Sequence, residues 1–178
     1  ISGGRFVLGV GTGNLHFNQL YMGIDSLKAK AKMRDFLEIV RLVVRGRAAE
    51  RVRYQGDVHR IRWRATWDPT SPPPPVYMSA SGPNMVRLAG EVSDGVGIGI
   101  MSSIAFVRDK VRPNAKAGAE AAGRDPNQLL FPTAATVSIN RDIAAAREAS
   151  KRAICKLYHP IPHPYYDSQL RQMGFEEF

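Results

Sequence analysis

Two short stretches of small and hydroxyl-bearing residues have the types and spacing that could do chemistry. Gly9-Val10-Gly11-Thr12-Gly13 ends the apolar run Phe6 to Val10, and Ser79-Ala80-Ser81-Gly82-Pro83 ends Val76-Tyr77-Met78-Ser79. Each reads as a buried strand running into a tight turn. Glycine in such a turn lets backbone N–H groups approach an anion, and Thr12, Ser79 and Ser81 add hydroxyl donors. Pro83 suits the first position of a helix. The second turn therefore runs into a helix N-terminus, where free N–H groups and the helix dipole favour a phosphate. The plain alternative for either stretch is a tight turn with no ligand. Two successive strands with the same ending are more specific than one.

The spacing excludes the common nucleotide fingerprints. A GxGxxG pattern from Gly9 needs glycine where Asn14 stands, and from Gly11 it needs glycine where His16 stands. No GxxxxGK[ST] run occurs either. The histidines are His16, His59, His159 and His163, and no pair has persuasive metal-ligand spacing. No metal is expected. Each histidine reads as a loop or surface residue, although one beside a cofactor could move a proton. Cys155 is the single cysteine, which excludes an internal disulfide framework and fits a reducing cytoplasm. It reads as a buried helix residue. Tyr165, Tyr166 and Phe175 are expected to line a lid or to pack it down.

The elements that must position these residues alternate along the chain. After the strand Phe6 to Val10, a helix is expected from Ser26 to Arg45, capped by Asp25 or Ser26 and ended by Gly46. Residues 47–74 form an excursion: a hairpin from Tyr54 to Trp63, then the stiff connector Pro72 to Pro75. The strand Val76 to Ser79 leads to a helix reaching Glu91, and Val96 to Ile100 is the next strand. Ser102 or Ser103 caps a helix to Ala122, which Pro113 should kink or split. A strand is expected over Leu129 to Ile139, then a helix opened by Asn140 or Asp142 and reaching Tyr158. Residues 159–178 form a Pro-rich lid segment with a short helix near Ser168 to Met173. Strands alternating with helices imply a parallel sheet with right-handed crossovers. Four such units make half of a (β/α)8 TIM-type barrel, and a half-barrel leaves sheet edges bare. An open doubly wound sheet is the competing architecture. The start at Ile1, without Met or a signal pattern, reads as a chain entered partway through.

Charge is uneven. The chain carries a net +9, and Lys28 to Arg64 contains 12 Lys and Arg against 4 Asp and Glu. That stretch reads as a solvated face or as a patch for an anionic cofactor tail. It has no nucleic-acid motif, so no nucleic-acid partner is expected. No run approaches the roughly 20 apolar residues that cross a membrane.

These residues also resemble a family. Ser2 to Gly13 is similar to the fourth-strand region of luciferase-like flavin-dependent oxidoreductases. Pro75 to Pro83 and Leu88 to Gly95 are similar to the fifth and sixth strand segments, and Gly118 to Pro126 to the loop before the seventh strand. Order and spacing agree over nearly the whole chain, and the branch it most resembles is the methylenetetrahydromethanopterin reductase-like group. The resemblance implies a barrel covered here from strand 4 to helix 7, without its N-terminal strands and last strand. It implies that FMN or the deazaflavin coenzyme F-420 (F420) is held by Gly11, Thr12, Gly13, Asn14, Ser79, Ala80, Ser81 and Gly82. Sugar-phosphate dehydrogenases of the family carry a catalytic Glu where this chain has Asn14, so sugar-phosphate oxidation is in doubt. Catalytic residues are expected on the strands not covered. The implied function is hydride transfer between deazaflavin or flavin and a small organic substrate, in a homodimer. The alternatives are an FMN monooxygenase fed by a partner reductase and a non-catalytic flavin-binding barrel.

Overall fold

The computed structural model describes residues 2–158 and 164–175. Along the chain come β1 (Leu8–Gly11), α1 (Leu15–Met22), α2 (Ala29–Arg45) and the hairpin β2 (Arg51–Gln55) and β3 (Arg60–Arg64). They are followed by β4 (Val76–Ser79), α3 (Pro83–Val92) and β5 (Gly95–Gly97). The short helix α4 (Ile104–Phe106) continues through a π turn, Val107–Val111, into α5 (Arg112–Ala121). A 3-10 turn at Pro126–Gln128, α6 (Ile143–Tyr158) and α7 (Pro164–Gln172) complete the order.

The architecture is α/β. Strands β1, β4 and β5 form a parallel sheet in that order, with Gly11 opposite Ser79 and Ser79 opposite Gly97. The three strands therefore end level. Bridges from Gly95 to Leu130 and from Ile98 to Thr133 add a rudimentary fourth position.

A side-chain clamp at the other end of the strands sets this register. The Val76 N–H donates to Asp94 Oδ2 and the Asp94 N–H donates to the Val76 carbonyl, both at 2.8 Å. Asp94 Oδ1 accepts from Arg41 Nη2 at 2.9 Å and from Arg124 Nη2 at 3.4 Å. Arg124 Nη1 also donates to the carbonyls of Gly90 and Ser93, which ties the loop after α5 to the end of α3.

The core lies between the sheet and its helices. Leu37 of α2, Val76 and Met78 of β4, Val86 and Leu88 of α3, Val96 of β5 and Ala115 of α5 are all buried. Helices α3 and α5 meet at backbone distance. A Cβ on Gly90 would fall 1.9 Å from the Ala115 carbonyl oxygen, and one on Gly118 would fall 2.0 Å from that of Arg87. Any side chain there would push the helices apart.

The hairpin is fastened to α2 by a buried carboxylate. Asp35, 2% exposed, accepts from the N–H groups of Val58 and His59 at 2.7 Å each and from the Tyr54 hydroxyl at 2.9 Å. Burial by itself pushes the Asp35 carboxyl up, but the bonds from His59, Val58, Tyr54 and Asp57 outweigh it and leave the group below its ordinary range. The Tyr54 hydroxyl, buried and donating to that carboxylate, is pushed up to about 12.

Several expectations need correction. An additional helix, α1, stands between the Gly-rich turn and α2, and α2 begins at Ala29 rather than Ser26. Neither Asp25 nor Ser26 caps α2: Lys28, in a left-handed conformation, occupies the cap position, and Asp25 accepts from the Leu27 N–H in the preceding turn. The segment Leu129 to Ile139 is not a strand. It lies beside β5 only from Leu130 to Thr133, where the Val96 N–H donates to the Leu130 carbonyl and the Ile98 N–H to the Pro132 carbonyl, and Val137 and Ile139 are 75% and 94% exposed. Beyond Thr133 it has no strand to pair with among the described residues, and an unpaired extended segment gains no ladder. Helix α6 buries none of its described side chains, which leaves Cys155 exposed rather than buried. Pro113 does split its helix: lacking an N–H, it sits in the first turn of α5 directly after the π turn. His159 and His163 lie outside the described residues.

Asp35→Asn is expected to lower stability at neutral pH by about 2–3 kcal/mol, because buried N–H donors lose their charged acceptor. A carboxyl held below its unfolded value of about 3.9 stabilises above that pH and loses the effect as pH falls through its folded value. The gap between variant and wild type in urea denaturation should therefore shrink below about pH 4. A gap that stays constant from neutral pH to about pH 3 would show that the ionised form does not matter.

Candidate functional site

The level strand ends open into a cavity of about 420 Å³. All eight residues singled out from the sequence line it: Gly11, Thr12, Gly13 and Asn14 after β1, and Ser79, Ala80, Ser81 and Gly82 after β4. Leu15, Ala29, Met85, Gly99 and Met101 complete the walls, and Tyr166 and Gln169 of α7 form a roof.

The first turn is built by asparagines. Gly13 takes a left-handed φ of 67°, and this bends the chain from β1 into α1. The Asn14 side chain then caps α1, its Oδ1 accepting from the Phe17 N–H at 2.8 Å. Asn18, one turn on, reaches back, and its Nδ2 donates to the Thr12 carbonyl at 2.9 Å. Asn14 caps only Phe17, so the first-turn N–H groups of Leu15 and His16 carry no side-chain cap. Among the described residues, the Thr12 hydroxyl has only a long, local contact of 3.3 Å to the Gly13 carbonyl.

The second turn lacks a side-chain cap, although the Met85 N–H is taken by the Gly82 carbonyl at 3.1 Å. Gly82 is the N-cap of α3 and offers no side-chain cap, and Pro83 has no N–H to satisfy. The Ser79 and Ser81 hydroxyls make no hydrogen bond among the described residues. Two helix N-termini and three hydroxyls thus converge on one cavity, and among the described residues none that lines it is charged. The donors suit an anion held by dipoles rather than by an ion pair.

The roof is tied to the segment after β5. Gln169 Nε2 donates to Ser102 Oγ at 3.0 Å, and the Ser103 N–H donates to Met173 Sδ at 3.1 Å. A smaller cavity of about 280 Å³ adjoins the first, sharing Gly11, Thr12, Leu15 and Ala29 and reaching His59 and Lys32. Lys32 is paired with Asp25 at 3.5 Å. His16 lines neither cavity.

The basic stretch lies elsewhere. Arg34 pairs with Glu91 and Arg41 with Asp94, while Arg51, Arg53, Arg60, Arg62 and Arg64 stand exposed along the hairpin. None of them lines the larger cavity. Among the described residues, no group of three His, Cys, Asp or Glu side chains could hold a metal ion, and no helix is long and apolar enough to cross a membrane.

Sequence reasoning missed the neutral wall residues Leu15, Ala29, Met85, Gly99, Met101 and Gln169. It also missed Asn18. A usable signal was present, because Asn14 directly after Gly-Thr-Gly is a preferred N-cap residue and announces a helix there.

An α/β chain with its polar cavity at the C-terminal ends of parallel strands belongs to the broad class that binds ligands at that face. More narrowly, this chain belongs to the luciferase-like monooxygenase family, whose model matches residues 1–177. It is 33% identical over 153 residues to the 5,10-methylenetetrahydromethanopterin reductase of Archaeoglobus fulgidus, covering 85% of this chain and 43% of that protein. It is 31% identical over 148 residues to the F420-dependent glucose-6-phosphate dehydrogenase of Nakamurella multipartita, covering 83% of this chain and 43% of the relative. The chain therefore spans less than half the length of these curated relatives. In structure it is similar to the coenzyme F420 dependent tetrahydromethanopterin reductase of Methanopyrus kandleri. The TM-score is 0.72 at 25% identity, over 98% of this chain and 52% of that one.

Asn14→Ala removes the side-chain cap of α1 and should cost about 1 kcal/mol of stability, read as a lower urea midpoint. An unchanged midpoint would show that the cap does not hold the turn.

Proposed function

We propose that this chain supplies about half of a (β/α)8 barrel, from its fourth strand to its seventh helix, and holds the phosphate of a deazaflavin or flavin in the larger cavity. The whole protein is then an oxidoreductase that transfers a hydride between F420 and a small organic substrate. The observation that carries this reading is the convergence of two helix N-termini, that of α1 capped only at Phe17 and that of α3 without a side-chain cap, and the hydroxyls of Thr12, Ser79 and Ser81 on one cavity. The relatives named for F420 favour the deazaflavin over FMN.

The residues present fit such a group. Small side chains at Gly11, Gly13, Ala80 and Gly82 leave room for a phosphate to approach the backbone. Thr12, Ser79 and Ser81 donate to its oxygens, and the α1 and α3 dipoles favour its charge. Leu15, Met85 and Met101 supply apolar walls that keep water away from what is bound. The cofactor supplies the redox chemistry when bound. Asn14 is already engaged as the cap of α1, so the position where sugar-phosphate dehydrogenases of the family carry a Glu serves local structure here.

The test is a fluorescence titration of the protein with F420 and, separately, with FMN. Binding of F420 alone supports deazaflavin hydride transfer, and binding of FMN alone promotes a monooxygenase that uses a partner reductase. Binding of neither overturns the assignment of the cavity. Thr12→Val should weaken the bound cofactor by about 1–2 kcal/mol, roughly 5- to 30-fold in Kd, through loss of a hydrogen bond to a charged group. Equal affinity for variant and wild type would remove Thr12 from the phosphate site.

A further inference from the structure

We infer that Gln169 is a ligand-contacting residue of the larger cavity, hydrogen-bonded to a hydroxyl on the polyol chain of a polyol phosphate; the inference rests on the cavity being a phosphate site. Gln169 is 7% exposed and lines the cavity from the roof helix α7. Its Nε2 donates to Ser102 Oγ at 3.0 Å. Its Oε1 accepts no hydrogen bond from any described residue. Buried polar groups are normally paired, and an amide oxygen can accept two bonds. An unpaired one facing a cavity marks the place where a ligand donor belongs.

The chemistry of the walls narrows the donor. Among the described residues the lining includes no charged side chain, which suits a ligand portion that is neutral beyond its phosphate. The polar wall groups are hydroxyls and a carboxamide, which match a chain of alcohols. A hydroxyl donates as well as accepts, so it satisfies the carboxamide whichever of its two ends faces the cavity. A phosphate oxygen, which only accepts, would not satisfy Oε1. The phosphate turns and Gln169 border one cavity of about 420 Å³, so the contacted hydroxyl stands only a few bonds from the phosphate. Flavin phosphates, deazaflavin phosphates and free sugar-alcohol phosphates all carry hydroxyls in that place.

The experiment titrates wild type and Gln169→Met with whichever of F420 and FMN the wild type binds. It then repeats both titrations with the same cofactor carrying hydrogen in place of the chain hydroxyls. Methionine keeps the length and loses the hydrogen bond. The expected result is roughly tenfold weaker binding of the natural cofactor by Gln169→Met, with equal binding of the deoxygenated analogue by both proteins. Wild type alone should lose roughly tenfold or more on deoxygenation, a reading that does not depend on the variant folding. Equal affinity of both proteins for the natural cofactor overturns the inference while leaving the cavity assignment standing. A tenfold loss by the variant that persists with the analogue overturns it as well. Wild type that binds neither cofactor overturns the cavity assignment and the inference together. Ribitol 5-phosphate then separates the sources: competition with the cofactor, weakened by Gln169→Met, extends the contact to free polyol phosphates, and no competition restricts it to the cofactor chain.

Discussion

The interaction on which the rest depends is the double hold of Asp94 on Val76. The backbone of Asp94 donates to the Val76 carbonyl and its carboxylate accepts from the Val76 N–H. That fixes where β4 begins relative to β5, because a one-residue slip would break both bonds and turn every side chain of the strand over. Arg41 and Arg124 hold the same carboxylate, so α2 and the end of α5 are referred to the same point. Each bond in isolation is modest. Together they decide register, which hydrophobic burial alone leaves loosely specified in strands this short.

The register then decides what the cavity can be. Because Gly11, Ser79 and Gly97 are level, the turns that follow β1 and β4 leave the sheet side by side and their helix N-termini open on the same space. Among the described residues, the site so formed has no charged side chain in its wall. An anion there is met by fixed peptide dipoles and hydroxyls, which need little reorganisation and avoid the cost of desolvating a lysine or arginine. The arginines of the chain serve other purposes. Some close the bottom of the sheet, and the hairpin set faces water. The hairpin itself stays in place through the buried Asp35 carboxylate.

The strand-turn motifs were legible in the sequence because they depend on local chemistry. Val76 to Ser79 and the hairpin between Tyr54 and Trp63 could be read from apolar alternation and turn residues, and the splitting of the helix at Pro113 from its missing N–H. Helix α1 was not legible by periodicity, since its apolar residues are spread around it and none of its side chains is buried. The segment Leu129 to Ile139 shows the reverse failure. Its composition is that of a strand, yet a strand needs a partner, and beyond Thr133 none is present among the described residues. Cys155 was read as buried for the same kind of reason: an apolar helix face was assumed to have a surface to cover it.

By itself, then, the sequence determined the two small-residue turns, the strands β1 and β4 that lead into them and the helix α3 that follows the second, because glycine, proline and hydroxyl side chains act on backbone within a few residues. Only the tertiary structure decided that the two turns share one cavity, that Asn14 caps a helix rather than facing a ligand freely, and that Gln169 closes the roof through Ser102. These contacts join residues far apart in the chain. Their geometry is set by strand register and helix packing, and no local pattern encodes either.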